Sequence, residues 1–139
     1  MMLKQEQIFE IEQLLRQVYR KLKNDIHTIF RNEISHNEFT VLKLISKENS
    51  IKATEVSNIL NVSASHITNV TDSLVKKGLL TRNRSEVDRR VVDLVVTDQG
   101  QALLSDLGEK KSDYFFSKLN RFTDEELEDF IRLLKKLKE

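Results

Sequence analysis

The fold of this chain is indicated by residues 53–97, which read ATEVSNILNV SASHITNVTD SLVKKGLLTR NRSEVDRRVV DLVVT. The stretch predicts a short helix, a tight turn, and a second helix that Ser63 caps. The second helix carries a stripe at positions 67, 70, 71, 74 and 75, and Gly78 stands where a left-handed residue ends such a helix. Two β-prone runs follow, 79–84 and 91–96, and predict a hairpin around a polar hexapeptide.

The sequence on both sides of this stretch is helical. Apolar residues from 3 to about 31 recur every three or four positions, which predicts a helix about 42 Å long. Ser35-His-Asn-Glu38 and Thr123-Asp-Glu-Glu126 are capping boxes that begin two more helices, and Thr97 caps a long helix between them. We therefore predict a mainly α protein with a small β-hairpin wing. We expect a single domain, 1–139, with a winged helix-turn-helix lobe over 35–97 and helical dimerisation regions over 1–34 and 98–139.

Composition excludes several classes of protein. The chain has 139 residues, no Cys, no Pro and three Gly, so disulfides, thiolate metal sites and Cys nucleophiles are ruled out. No apolar run exceeds three residues, so we expect no membrane span, no signal peptide and a cytoplasmic protein. The sequence has no glycine-rich phosphate loop, and the spacing of its residues supports no Ser-His-Asp arrangement. We expect no catalytic residues and no cofactor, and we expect that the protein is not an enzyme.

Positive charge is concentrated in one segment. The formal net charge is only +1, yet residues 73–90 carry six Lys and Arg side chains against Glu86 and Asp88, a local +4. The remainder of the chain carries 17 positive and 20 negative side chains. A protein that meets a polyanion through one lobe has this distribution.

The second helix of the motif has a face suited to DNA. It must bury one stripe and leave its other face free to enter a groove about 12 Å wide. The alternative is a solvated helix face with no binding role. Such a face would favour Glu and Lys, because Ser and Thr are mediocre helix formers. We predict that the residues which contact DNA are Ser63, Ser65, His66, Thr68, Asn69, Asp72, Ser73 and Lys76.

The hairpin tip supplies a second set of candidate DNA contacts. Arg84, Arg89 and Arg90 are guanidinium side chains that can clamp phosphates or lie in a minor groove. Asp88 would be repelled by DNA, so we expect it to brace one of these arginines, with Arg90 as the first choice. A surface salt bridge without further function is the alternative.

These residues resemble the MarR family of bacterial transcriptional regulators over essentially the whole chain. Residues 88–100, DRRVVDLVVTDQG, resemble the family's wing signature, and residues 74–82, LVKKGLLTR, resemble the exit from its recognition helix. Val96 stands where Leu is more usual, and Lys52 stands where a small hydroxyl cap is common. The resemblance implies a homodimer that binds a pseudo-palindromic operator in double-stranded DNA, usually as a repressor. It also implies a crevice for a small aromatic or anionic effector.

The apolar pattern leads to the dimer independently of the resemblance. The terminal helices carry more apolar stripe than the central lobe covers, and exposed stripes of that length seek partners. Packing of the three helices within one chain is the alternative.

Control by an effector is expected to be reversible, since the chain has no cysteine to oxidise and Met1 and Met2 stand at a frayed end. An ordinary core role is the alternative for each of the candidate pocket residues, which are Tyr19, His27, Phe30, Phe39 and Tyr114.

Two other functions remain open from the sequence. A winged helix can bind protein through its hairpin, although such a wing has no reason to concentrate arginine. A metal-sensing regulator could use the same scaffold, but His27, His36 and His66 lack ligand spacing, so we expect no metal site.

Overall fold

A computed structural model describes residues 3–139, and Met1 and Met2 with their expected frayed end lie outside the described residues. The mainly α fold with a small β wing is confirmed. In chain order the elements are α1 Lys4–Phe30, α2 His36–Glu48, β1 Ile51–Lys52, α3 Ala53–Leu60, α4 Ala64–Lys76, β2 Leu80–Arg84, β3 Val92–Val96, α5 Asp98–Leu119 and α6 Asp124–Lys138.

Both predicted capping boxes are present. Ser35 Oγ accepts from the amide of Glu38 at 3.1 Å, and Glu38 Oε1 accepts from the amide of Ser35 at 2.8 Å. Thr123 and Glu126 make the same reciprocal pair at 3.1 and 2.9 Å. Each pair satisfies two amides at a helix start, where no carbonyl of the helix itself is available.

The turn between α3 and α4 is tight because Asn61 adopts a left-handed conformation, with φ of 54°. Ser57 holds the turn, since its hydroxyl donates to the carbonyl of Val62 at 2.7 Å. Ser63 then caps α4 as predicted, its Oγ accepting from the amide of His66 at 3.1 Å.

Gly78 ends the α4 segment as predicted, with φ of +75°. The amide of Leu79 donates to the carbonyl of Leu74 at 3.0 Å, and the amide of Gly78 donates to that of Val75 at 3.0 Å. This pair of bonds is the Schellman arrangement, which turns the chain sharply into β2.

The sheet has one more strand than the sequence predicts. The predicted hairpin is β2 paired antiparallel with β3, with Leu80 opposite Val96 and Arg84 opposite Val92. β1 adds to the other edge of β3, with Ile51 opposite Leu94, so the strand order is β1-β3-β2. A two-residue strand has no periodicity to detect, and its pairing with β3 joins the start of α3 to the wing.

The chain forms two compact units, which divide inside α5 after Leu107. In the first unit, α2, α3, α4 and the sheet surround one apolar core, which also takes in the end of α1. The fully buried large side chains are Phe30, Ile34, Val41, Leu42, Ile45, Val56, Ile67, Leu74, Leu80, Leu94 and Leu107.

The second unit, Gly108–Glu139, contains the end of α5 and all of α6. Aromatic contacts organise it, with Phe122 and Phe130 ring centroids 6.0 Å apart. Among the helices of residues 3–139, none has both the length and the apolar character needed to cross a bilayer.

Candidate DNA interface

The first two turns of α4 present polar side chains to solvent. Ser63, Ser65, Thr68 and Asn69 are exposed, and His66 is half-buried. Thr68 Oγ1 donates to the carbonyl of Ala64 at 3.0 Å, which leaves its lone pairs available. Farther along, Lys76 is exposed as well. Six of the eight predicted helix contacts therefore lie where a groove could reach them.

The other two predicted contacts are hydrogen-bonded to side chains of other elements. Ser73 Oγ donates to Glu38 Oε2 at 2.6 Å, and Asp72 Oδ1 accepts from Arg82 Nη2 at 2.6 Å. Both side chains are half-buried. The structure thus gives Asp72 and Ser73 intramolecular partners that the sequence does not indicate.

Glu38, in the first turn of α2, reaches α4. Besides its capping bond to Ser35, its carboxylate accepts from Ser73 and from Lys77 Nζ, at 3.0 and 3.1 Å to the two oxygens. Burial alone raises the pKa of the Glu38 carboxyl, but the hydrogen bonds from Ser73 and Ser35 and the charge of Lys77 outweigh it, so its pKa lies below the ordinary value. Glu38 is therefore ionised at neutral pH.

Arg82 fastens the wing strand to α4. Its Nη2 donates to Thr71 Oγ1 at 2.9 Å and to Asp72 Oδ1 at 2.6 Å. Sequence reasoning missed the tertiary contacts of both Arg82 and Glu38. The capping box was the only sequence signal at Glu38, and nothing in the spacing of Arg82 from α4 marks a contact.

The wing tip has the brace expected between Asp88 and Arg90. Arg90 Nε and Nη2 donate to the two carboxylate oxygens at 3.0 and 3.1 Å, and the Arg90 amide donates to the same carboxylate at 3.0 Å. These hydrogen bonds lower the pKa of Asp88. Ser85 Oγ accepts from the amides of Val87 and Asp88, which closes the turn at the tip.

Ion pairing divides the six cations of residues 73–90 into two groups. Lys77, Arg82 and Arg90 each pair with a carboxylate. Across residues 3–139, the structure gives no ion pair to Lys76, Arg84 or Arg89, all of which are exposed. The last three are therefore the cations most available to phosphates.

The candidate effector residues are only partly brought together. Phe30 and Phe39 are buried with ring centroids 5.0 Å apart, whereas Tyr19 and His27 are exposed. Tyr114 lies in the second unit. For these residues, therefore, a core role is observed only for Phe30 and Phe39.

A different, open cleft of about 490 Å³ lies within the first unit. Its charged lining consists of Glu33, Asp106 and Lys77, the last already paired with Glu38. The full lining is Glu33, Lys77, Leu79, Gln99, Ala102, Leu103 and Asp106. Within the part of the chain that the structure describes, no three His, Asp or Glu side chains group as metal ligands would.

Comparisons with known proteins agree with this geometry. A sequence model of the MarR family matches residues 34–92. The chain is 43% identical to the uncharacterized HTH-type transcriptional regulator YpoP of Bacillus subtilis, covering 99% of this chain and 97% of the relative. It is 30% identical to the regulator PapX of Escherichia coli, over 90% and 78% of the two chains. A mutant MarR of Escherichia coli, solved with operator DNA, superposes with a TM-score of 0.77 at 25% identity, covering 94% and 95%.

Proposed function

The chain belongs to the MarR family of winged helix-turn-helix transcriptional regulators, and on that premise we propose that it represses transcription as a homodimer bound to a pseudo-palindromic operator. It is a DNA-binding transcriptional regulator. The proposal assigns base reading to the first turns of α4 and phosphate or minor-groove contact to the wing. A regulator of bacterial DNA works in the cytoplasm, which is where we place it.

One observation carries the proposal. The exposed hydrogen-bonding face of α4 belongs to the same lobe as Lys76, Arg84 and Arg89, which make no ion pair within the described residues. Glu38 and Arg82 hold the end of α4 through side-chain hydrogen bonds. Base reading requires a rigid element that presents donors and acceptors, and phosphate contact requires available cations.

Selection of bound sequences from a random duplex pool tests the function. We expect a palindrome whose half-sites are about one helical turn apart, 10–10.5 bp from centre to centre. A protein-interaction module would enrich no sequence. A binding constant that did not fall steeply with added salt would also contradict DNA binding, because phosphate contacts release counterions.

Recognition-helix and wing substitutions are expected to differ in kind. Asn69→Ala or His66→Ala should weaken operator binding by about 1–3 kcal/mol and leave binding to random duplex nearly unchanged, because base contacts carry the sequence information. Arg84→Ala should weaken both and reduce the salt slope by about one unit. Fluorescence anisotropy on operator and random duplex at several salt concentrations measures these effects.

Arg90→Ala should behave like Arg84→Ala, with an added loss at narrow A·T steps if Arg90 lies in the minor groove. Equal losses on operator and random duplex for Asn69→Ala would remove the assignment of base reading to that residue.

The dimer is expected to depend on the apolar stripe of α1. Ile11 and Leu15 lie one turn apart and remain about half exposed in the single chain, at 54% and 47%. Ile11→Lys combined with Leu15→Lys should give a monomer of 16.3 kDa at micromolar concentration and a large loss of operator affinity. Gln13→Lys combined with Gln17→Lys places the same charges on exposed polar positions of α1 and should leave the dimer intact. Sedimentation of the wild type as a monomer would contradict the proposal.

Release from DNA is proposed to follow reversible ligand binding. An effector must bind free protein more tightly than DNA-bound protein, by the same factor as it weakens DNA binding. Salicylate tests the anionic aromatic class, and benzamidine tests a cationic aromatic of similar size in the cleft that Glu33 lines. If mild peroxide released the operator while both compounds and metal ions had no effect, control by a reversible ligand would be wrong.

A further inference from the structure

The carboxylate of Glu38 joins the beginning of α2 to the end of α4. Its Oε1 accepts from the Ser35 amide and from Lys77, and its Oε2 accepts from Ser73 and from Lys77. The Glu38 side chain is only 9% exposed. Both oxygens are thus occupied by donors from two helices in a setting that excludes most water.

The two α4 partners of Glu38 stand one turn apart at the same end of the helix. Ser73 lies in its last turn, and Lys77 follows its final residue. Arg82 holds Thr71 and Asp72 from the wing strand. The end of α4 is therefore fixed from α2 and from β2, while its beginning carries the exposed face assigned to bases.

A small tilt of α4 about its fixed end would displace the residues at its beginning, which are assigned to base reading. Eight residues of helix separate Ser65 from Ser73, about 12 Å, so a tilt of about 5° about Ser73 displaces Ser65 by about 1 Å. Base contacts require placement to within about 0.5 Å. A loss of the Glu38 contacts that allowed such a tilt would degrade base reading while the lobe stayed folded.

Glu38 also forms an ion pair with Lys77, the cation that directly follows α4. While Lys77 is paired, its ammonium is partly neutralised and directed toward α2. An unpaired Lys77 would add a cation next to the helix that enters DNA, and attraction between cations and phosphates is independent of sequence.

We propose that Glu38 is a positioning residue for operator recognition: it orients the reading face of α4 through Ser73 and keeps Lys77 from strengthening nonspecific DNA binding. This inference rests on the proposed function. Ser73 then acts through Glu38 and does not contact DNA.

Glu38→Gln is the principal test, because the single amide oxygen of glutamine can retain the capping box. The change removes the charge and replaces Oε2 with an NH2 group, which cannot accept from Ser73 or Lys77. We expect the operator dissociation constant to rise roughly tenfold, as for a lost hydrogen bond to a charged group. The dissociation constant for random duplex should fall, with a salt slope steeper by about one unit. Addition of Lys77→Met to this variant should restore wild-type binding to random duplex but leave operator binding weak.

Ser73→Ala provides a second test that leaves every charge in place. It should weaken operator binding and leave random duplex unaffected. Glu126→Gln, at a capping box of the second unit, is the matched control and should alter neither affinity. Circular dichroism melting confirms that each variant is folded at the assay temperature.

Each other outcome overturns the inference. Equal losses on operator and random duplex for Glu38→Gln would indicate only a structural role. An equal loss on both for Ser73→Ala would make Ser73 a phosphate contact. Unchanged discrimination in both variants would remove the positioning role, while the wild type would still discriminate and the proposed function would stand. A wild type that bound both duplexes equally would overturn the function together with the inference.

Discussion

Replacing Gly100 with alanine is expected to lower the free energy of unfolding by about 3 kcal/mol, at the upper end of the cost of overpacking. A Cβ at this position would lie 2.3 Å from the carbonyl oxygen of Leu79 and 2.7 Å from Val96 Cγ1. The carbonyl cannot retreat freely, because it accepts from the amide of Thr97 at 3.1 Å. The first turn of α5 would have to move away from the base of the wing.

Gly108→Ala is the matched control for Gly100→Ala. Both glycines lie in α5, but a Cβ at Gly108 would meet no atom within 4 Å outside its immediate helix backbone. Because glycine is costly inside a helix, this change should stabilise the protein by about 0.5–1 kcal/mol. Urea unfolding of the two variants measures the difference. Equal stability of both variants would show that the close approach at Gly100 is not a constraint.

Replacing Leu74 with alanine is expected to lower the free energy of unfolding by about 2–5 kcal/mol, the range for a large cavity in a core. Leu74 is fully buried, and it lies on the recognition helix directly before the turn into the wing. Its loss removes packing that joins α4 to the rest of the lobe. Operator binding should fall in parallel with the fraction of folded protein.

Val75→Ala, one residue away on the same helix, is the control for Leu74→Ala. Val75 is 38% exposed, so truncation should cost less than about 1 kcal/mol. Denaturant unfolding with a common slope allows direct comparison of the midpoints. Similar losses for the two variants would mean that Val75 is covered in solution by a surface absent from the single chain.

Leu74 and Val75 differ in burial, although they are neighbours on the same helix. Both belong to the stripe that helical periodicity assigns to the buried side of α4. Periodicity fixes the angle of each side chain around the axis, but the neighbouring elements decide how wide the covered sector is. Leu74 lies near its centre and Val75 at its margin.

The same distinction applies to the candidate interface. The Asp88–Arg90 brace could be predicted, because residues two apart in a turn can meet without any tertiary contact. The partners of Asp72 and Ser73 could not, since Glu38 is 35 residues from Ser73 and Arg82 approaches from the strand beyond the turn. Polar residues on a helix face look alike in sequence whether they meet DNA or another helix.

The sequence by itself determined the helix starts at Ser35, Ser63 and Thr123, the glycine turn into the wing and the hairpin, because caps, turns and alternation act between residues close in the chain. Only the tertiary structure decided that β1 extends the sheet, that Gly100 must lack a side chain, and that Glu38 and Arg82 hold the end of α4. Those features depend on atoms far apart in sequence that packing of the core brings within contact distance, and no local pattern encodes such a distance.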